Sequence, residues 1–426
     1  MRERLEQSGR DQGFWARVSR QFRANRLARW SLRILYILLF VAFFADFIAN
    51  ERPWYCKMDD ETYFPVLWQY GEGLGLIKPD ARFYNFDWRG ADYQAVVFAP
   101  IPYSAISIDD ENMGYNGPFE KQNVPSWRFH HFLGTDEVGR DVAAGMVSGT
   151  RTAMLVGVVA MSIAALIGIF LGAIAGYFGD NRFKISRIRL ILNVLGLGLA
   201  VFYGFSVRAF ALAEGAFIVE VLKSLGICFV ILIAVNLVAE LLKRIPALGS
   251  KVVIPLDIMV MRLIEVINSI PGLLLILSVV GLISRPSIFY VMVIIGLIGW
   301  TTIARFVRSE LLRIRKMEYV EAAQALGYSE WRIILKHALP NALTPVLITL
   351  AFGMAGAILL EAFLSFLGIG LPPEQVTWGS LLNMARSGFS AWWLAIFPGF
   401  AIFITVTVFN LIGEGLTDAI DPKRSK

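Results

Sequence analysis

Groups able to act as nucleophile, base or metal ligand are few in this chain. Its three histidines are His130, His131 and His337, and its two cysteines are Cys56 and Cys228. His130-His131, with Asp136, Glu137 and Asp141 downstream, is the one cluster with the residue types of an acid–base or metal site. Neighbouring side chains diverge on a helix or a strand, so this spacing predicts a solvated turn. The chain has no H-E-x-x-H, G-x-S-x-G or G-x-x-x-x-G-K-[ST] pattern, which leaves zinc hydrolysis, a nucleophile elbow and ATP binding without their residues. Cys56 and Cys228 fall on segments predicted outside and inside a bilayer, so no intramolecular disulfide is expected. No catalytic residue and no metal ligand is assigned.

The most informative pattern is Lys316 to Pro345, K-M-E-Y-V-E-A-A-Q-A-L-G-Y-S-E-W-R-I-I-L-K-H-A-L-P-N-A-L-T-P. It predicts a short helix, Tyr319 to Leu326, stopped by Gly327. Ser329 is the expected N-cap of a second helix that ends before Pro340. The product is a helix–glycine–helix element that presents small Ala322 and Ala323 beside acidic Glu321.

The elements around it belong to a membrane protein. Of the 426 residues, 56% are hydrophobic and 17% charged, well below the quarter or so charged in soluble domains. Residues 152–179, 340–360 and 387–413 carry no charge, and 190–207, 266–284 and 286–304 are shorter charge-free runs. Runs of about 20 apolar residues are the length of a bilayer crossing. Eight spans are expected, over roughly 31–49, 152–177, 190–206, 216–241, 258–284, 287–305, 344–366 and 391–413. The first reads as a retained anchor, because Ile34 to Ala45 lacks an A-x-A exit and ends in Asp46, Asn50 and Glu51.

Charge sets the sidedness. Residues 1–33 hold nine Arg against three acids, whereas residues 50–150 hold eight Lys/Arg against fifteen Asp/Glu, a net charge of −7. The loops with Arg182, Lys184, Arg187 and Arg189, then Lys243, Arg244 and Lys251, then Arg305 to Lys336, fall on the N-terminal side. The positive-inside rule makes both termini cytoplasmic. Domain bounds follow: 1–30 an interfacial segment, 31–49 the first span, 50–150 a periplasmic region, 151–180 the second span, 181–251 a two-span hairpin, 252–420 the remaining core with the loop 316–345, and 421–426 a cytoplasmic tail. Phe14, Trp15, Val18 and Phe22 recur at helical spacing among Arg17, Arg20, Arg23 and Arg26, which suits membrane lipid better than nucleic acid because the run abuts a span.

Inside the spans, Gly168, Gly172 and Gly176 share one helix face, a stripe for close helix packing. Ile270-Pro271-Gly272 lies early in the fifth expected span, where proline kinks the helix, as a fixed structural bend or as a gating hinge. Asp46, Glu361 and Arg386 lie near span ends and are expected at the interface, while Glu220 and Lys223 can snorkel.

Glu321-Ala322-Ala323, Gly327 and Leu339-Pro340 together resemble the EAA loop of ABC-importer permease subunits. Other segments resemble the C-type permease of peptide and nickel importers: Phe22-Arg23 to Ala28, Leu133-Gly134-Thr135-Asp136, Gly139-Arg140-Asp141-Val142, Gly149-Thr150-Arg151, Ala175 to Gly179, Leu364 to Gly368 with Trp378-Gly379, and Leu416-Thr417-Asp418 to Asp421-Pro422. The likeness covers roughly 15–54, 127–180 and 252–424. The outer region 55–126 is larger than that family's usual loop and is similar to the microcin and oligopeptide branch, and 181–251 adds a pair of spans.

The resemblance implies an all-α polytopic protein of the type I ABC importer transmembrane fold, in a bacterial inner membrane, forming half of a pathway for peptides, nickel or related solutes. It implies a coupling helix at Glu321, Ala322, Ala323, Gly327, Leu339 and Pro340 that docks on an ATPase. The implied partners are a homologous second permease, cytoplasmic ABC ATPase subunits, a periplasmic substrate-binding protein and membrane lipid, with no nucleic acid. It implies no cofactor on this chain, because ATP and Mg are bound by the partner subunits. A secondary transporter or channel would need inverted repeats and mid-membrane charges. A membrane enzyme or sensor would have to be built on His130-His131.

Overall fold

The computed structural model describes residues 14–73, 75–78, 80–83, 86–214, 217–243, 250–281, 287–370, 372 and 375–420. The expected tail 421–426 with Asp421-Pro422, the side chains of Phe14 and Trp15, and Arg244 lie outside them.

Helix α1 (Phe14–Ala24) ends at Asn25, which caps α2 (Arg26–Phe43) by accepting from Leu27 N at 3.0 Å and Ala28 N at 3.3 Å. The outer region then forms a three-stranded antiparallel sheet in which β1 (Tyr55–Met58) lies between β2 (Glu61–Tyr63) and β3 (Ala95–Val97). Asp59 and Asp60, both at positive φ, make the two-residue turn between β1 and β2, the geometry that matches strand twist. Cys56 sits opposite Tyr63 over an aromatic cluster with Trp88, and burial pushes its thiol pKa up to about 11.

Helix α3 (Val142–Phe178) begins ten residues before the expected second span at 152, capped by Asp141, which accepts from Ala144 N at 2.6 Å. Arg151 read as a boundary because charge interrupts an apolar run. In the structure its guanidinium makes a bidentate pair with Asp46 at 2.7 and 3.0 Å, so the charge is neutralised inside the helix. The 181–251 segment forms β4 (Lys184–Ser186), α4 (Arg187–Val201, continued by a wide turn Phe202–Ser206), α5 (Phe217–Leu242) and β5 (Lys251–Val253), with β4 antiparallel to β5.

Helices α6 (Leu256–Ser269) and α7 (Gly272–Gly281) replace the fifth expected span and meet at 77°. The bend falls at Ile270-Pro271, near the middle of 258–284 and not early in it. Pro271 lacks the amide that would continue the ladder. Helix α8 (Ile288–Ile314) leads to α9 (Glu318–Ala325) and α10 (Glu330–Ile333), then α11 (Thr344–Phe366), α12 (Trp378–Ala385) and α13 (Trp393–Ile420). Glu361, expected near a span end, has its side chain buried within the protein in α11, where it accepts from Ser365 Oγ at 2.6 Å.

Among the described residues six helices are long and apolar enough to cross a membrane: α3, α4 with its wide turn, α5, α8, α11 and α13, with the bent pair α6–α7 a seventh. Helix α2 carries Arg26, Arg29 and Arg33 within its 18 residues, so composition alone does not mark it as a span. The main core joins α3, α6 and α8 through Ile264, Trp300, Ile303 and Leu311, and continues into Val320, Ile333 and Ile334 of the segment after α8.

Candidate functional site

The segment after α8 is a clamp with one face on the core and the other exposed. Glu318 and Glu321 lie in the first turn of α9, where carboxylates complement the amide dipoles. Val320 and Ala323 are buried, whereas Glu321 and Ala322 are exposed. Ala323 therefore packs inward, and Ala322 alone of the alanine pair faces out. Gly327 ends the helix at φ +76°. Its amide donates to Gln324 O at 2.9 Å and Tyr328 N donates to Ala323 O at 3.2 Å, the two bonds of a Schellman cap. A Cβ built on Gly327 meets nothing within 4 Å, so backbone conformation and not space demands glycine there.

The second helix does not end before Pro340. After α10 the chain widens into a π turn, Ile334–Ala338, and continues through Leu339–Ala342 into α11. A wide turn absorbs the bond that proline cannot make. Ser329 stands at the N-cap position without a side-chain capping bond. Leu339 is half-buried against the core and Pro340 is exposed. Asn341 Nδ2 donates to Tyr319 Oη at 3.4 Å, tying the end of the segment to its start.

Helix α3 holds this clamp from within. Tyr177 hydrogen-bonds Glu330, Gln324 Nε2 donates to Tyr177 Oη at 3.4 Å, and Phe178 meets the Trp331 ring edge-on at 5.9 Å. These residues carried no spacing signal, because a tyrosine at a span end reads as an interface anchor. The glycine stripe faces α8: a Cβ at Gly168, Gly172 or Gly176 would lie 2.6–2.8 Å from the carbonyl oxygens of Trp300, Ala304 and Arg308 respectively. The pair thus packs backbone to backbone, and on α8 a Cβ added at Gly296 would in turn lie 2.8 Å from Ala160 O. Beside it, α3, α7, α8 and α11 line an uncharged groove of about 360 Å³ that includes Met161, Ile276, Ile298, Thr302, Phe352 and Gly356.

His131 is not in a solvated turn. Its side chain is fully buried, with Nδ1 2.8 Å from Asp141 Oδ2 and Nε2 3.1 Å from Asp109 Oδ2, while His130 hydrogen-bonds Gln122. Divergence of the two rings was legible; burial was not, because Asp109 is 22 residues away from His131 in sequence. Burial pushes the Asp109 carboxyl up, but hydrogen bonds from His131 and Asn112 outweigh it and its pKa lies below the ordinary value. Among the described residues no group of His, Cys, Asp and Glu is arranged to hold a metal ion.

Residues 247–426 match the binding-protein-dependent transport system inner membrane component family, and residues 13–64 match the N-terminal transmembrane domain of oligopeptide transport permease C. The oligopeptide transport system permease protein OppC of Haemophilus influenzae is 30% identical over 301 residues, covering 70% of this chain and 73% of its own. The chain belongs to the inner-membrane permease family of binding-protein-dependent ABC transporters. The inner membrane ABC transporter permease protein YejE of Escherichia coli is 29% identical over 97% of this chain and 98% of its own. The Bacillus subtilis dipeptide transport system permease protein DppC is 30% identical over 71% of this chain and 72% of its own. Membership places this multi-pass permease in the inner membrane and sets aside a secondary transporter or a membrane enzyme.

Proposed function

We propose that this permease carries peptides, with both termini in the cytoplasm and ATP hydrolysed by separate ATPase subunits that dock on Glu318–Tyr328. The observation that carries the reading is the exposed clamp: Glu321, Ala322, Gly327 and Tyr328 face out from a segment whose other side is fixed to α3 and the core. Leu326 and Trp331, 74% and 53% exposed, add apolar surface to it, which is the composition of a protein contact. A second permease would complete the pathway against the groove between α3 and α11, and a substrate-binding protein would dock on the acidic outer region. Peptide is the substrate class named for the relatives from Haemophilus influenzae and Bacillus subtilis, which supports it here. With α2 and the bent pair α6–α7 each counted as a crossing, the chain has eight spans.

The role of Glu321 is a carboxylate aimed at a basic group of the ATPase, a contact worth about 1–3 kcal/mol when partly buried. Glu321→Ala should therefore lower recovery of the ATPase on copurification about tenfold, while the permease itself is recovered in full. Unchanged ATPase recovery with unchanged transport would remove Glu321 from the interface.

A further inference from the structure

Helix α3 is a single helix of 37 residues without proline, about 55 Å long at 1.5 Å per residue. Each end is held by polar contacts to a different functional surface. At the inner end Tyr177 grips Glu330 and Gln324 of the segment proposed to meet the ATPase. At the outer end Asp141 has two roles: one oxygen caps α3 through Ala144 N at 2.6 Å, and the other receives His131 Nδ1 at 2.8 Å. The opposite ring nitrogen reaches Asp109 in the loop that follows the outer sheet. Around this trio, Arg89 lies 4.0 Å from Asp109, Asn112 donates to Asp109 at 3.1 Å, and the Tyr103 ring lies 4.3 Å from the His131 ring.

We propose that Asp109–His131–Asp141 is a positioning network that fastens the outer region to the head of α3, so that a binding protein docking outside displaces α3 as a rigid body and moves the coupling segment inside. The proposal rests on the reading that Glu318–Tyr328 meets an ATPase. A staple serving only the outer region would have no need to end on the residue that caps α3. Between the two ends α3 lies on the α8 backbone at Gly168, Gly172 and Gly176, where the side chains of Ile303, Val307 and Leu311 also seat, so a displacement of α3 is carried by a rigid, closely packed element.

The test uses the complete transporter in lipid nanodiscs, with its sister permease, ATPases and binding protein. In the wild type, hydrogen exchange at Glu318–Tyr328 should change when the binding protein is added. In His131→Gln and in Asp141→Asn, which keeps a good N-cap, basal ATPase activity should stay within about twofold while the stimulated increment falls about tenfold. Binding-protein affinity should be retained, and the exchange response at Glu318–Tyr328 should vanish. Full stimulation in both variants would overturn the proposal, as would an equal fall in basal and stimulated activity, which would make the network purely structural. A wild-type complex with no ATPase bound would overturn the parent reading instead, and this proposal with it.

Discussion

The α3–α8 pair and the α4–α5 pair both use glycine to bring helices together, but they bind in different ways. In the first, Gly168, Gly172 and Gly176 put helix backbones in contact, and half of the α8 span is buried within the protein. In the second, the α5 span is 6% buried. That pair is held by side chains: Asn236 Nδ2 donates to Asn193 Oδ1 at 2.9 Å, Arg189 pairs with Glu240 at 2.8 Å, and Arg208 pairs with Glu220 at the other end. A helix pair that must hold together away from a core relies on interhelical hydrogen bonds, because lipid provides no hydrophobic drive. The α3–α8 pair is continuous with the Glu318–Tyr328 segment, whereas the hairpin joins the core by the β4–β5 ribbon.

The comparison can be broken most forcefully at Gly172. Gly172→Leu places a side chain where even a Cβ would lie 2.6 Å from Ala304 O, and should cost about 3 kcal/mol or more. It should be read as loss of monodisperse protein after extraction. Gly198→Leu in α4, where a Cβ meets nothing within 4 Å, should change stability by less than about 0.5 kcal/mol. Equal damage at both positions would mean that the hairpin packs as tightly as the core.

Sidedness is sharpened by labelling. Gln122 is half-buried and accepts from His131 N at 2.7 Å, so exposed Lys121 is the better probe. Lys121→Cys should react with an impermeant thiol reagent from outside, and Ser250→Cys at the hairpin root should not. Buried Cys56 adds no background.

The outer network has a stated pH dependence. Asp109 has a folded pKa below its ordinary 3.8, so its stabilisation is complete above the ordinary carboxylate range and is lost as pH falls through the depressed folded value. Thermal stability of the outer region should hold down to about pH 4 and drop below it, and Asp109→Asn should flatten that drop. A wild-type profile already falling between about pH 6 and 5 would assign the loss to another group.

Smaller still is the hairpin's polar zip. A double-mutant cycle on Asn193→Ala and Asn236→Ala should give a coupling of about 0.6 kcal/mol. Replacing 187–250 by a short turn joining Ser186 to Lys251, which face each other across the ribbon, should leave insertion and transport unchanged. Lost transport with normal insertion would place the hairpin in the mechanism.

Legibility in the sequence followed the range of the interactions. Charge-free runs placed α4, α8, α11 and α13, and Gly327 marked a turn, because each signal is local. The start of α3 was hidden by Arg151, whose partner Asp46 is 105 residues away. The inward turn of Ala323 and the course of the chain through Pro340 depended on what the segment packs against. His131 was read from its neighbours in sequence, and its burial is set by Asp109 and Tyr103, which spacing alone does not bring to it.

The central claim is that Gly327 shapes a segment through which ATP hydrolysis drives this permease. Valine at its φ of +76° is strained although space is free. The direct measurement is binding-protein-stimulated ATPase activity of the reconstituted transporter carrying Gly327→Val. The expected result is a permease that inserts and pairs with its sister subunit while the stimulation is lost; stimulation and transport equal to wild type would contradict the account.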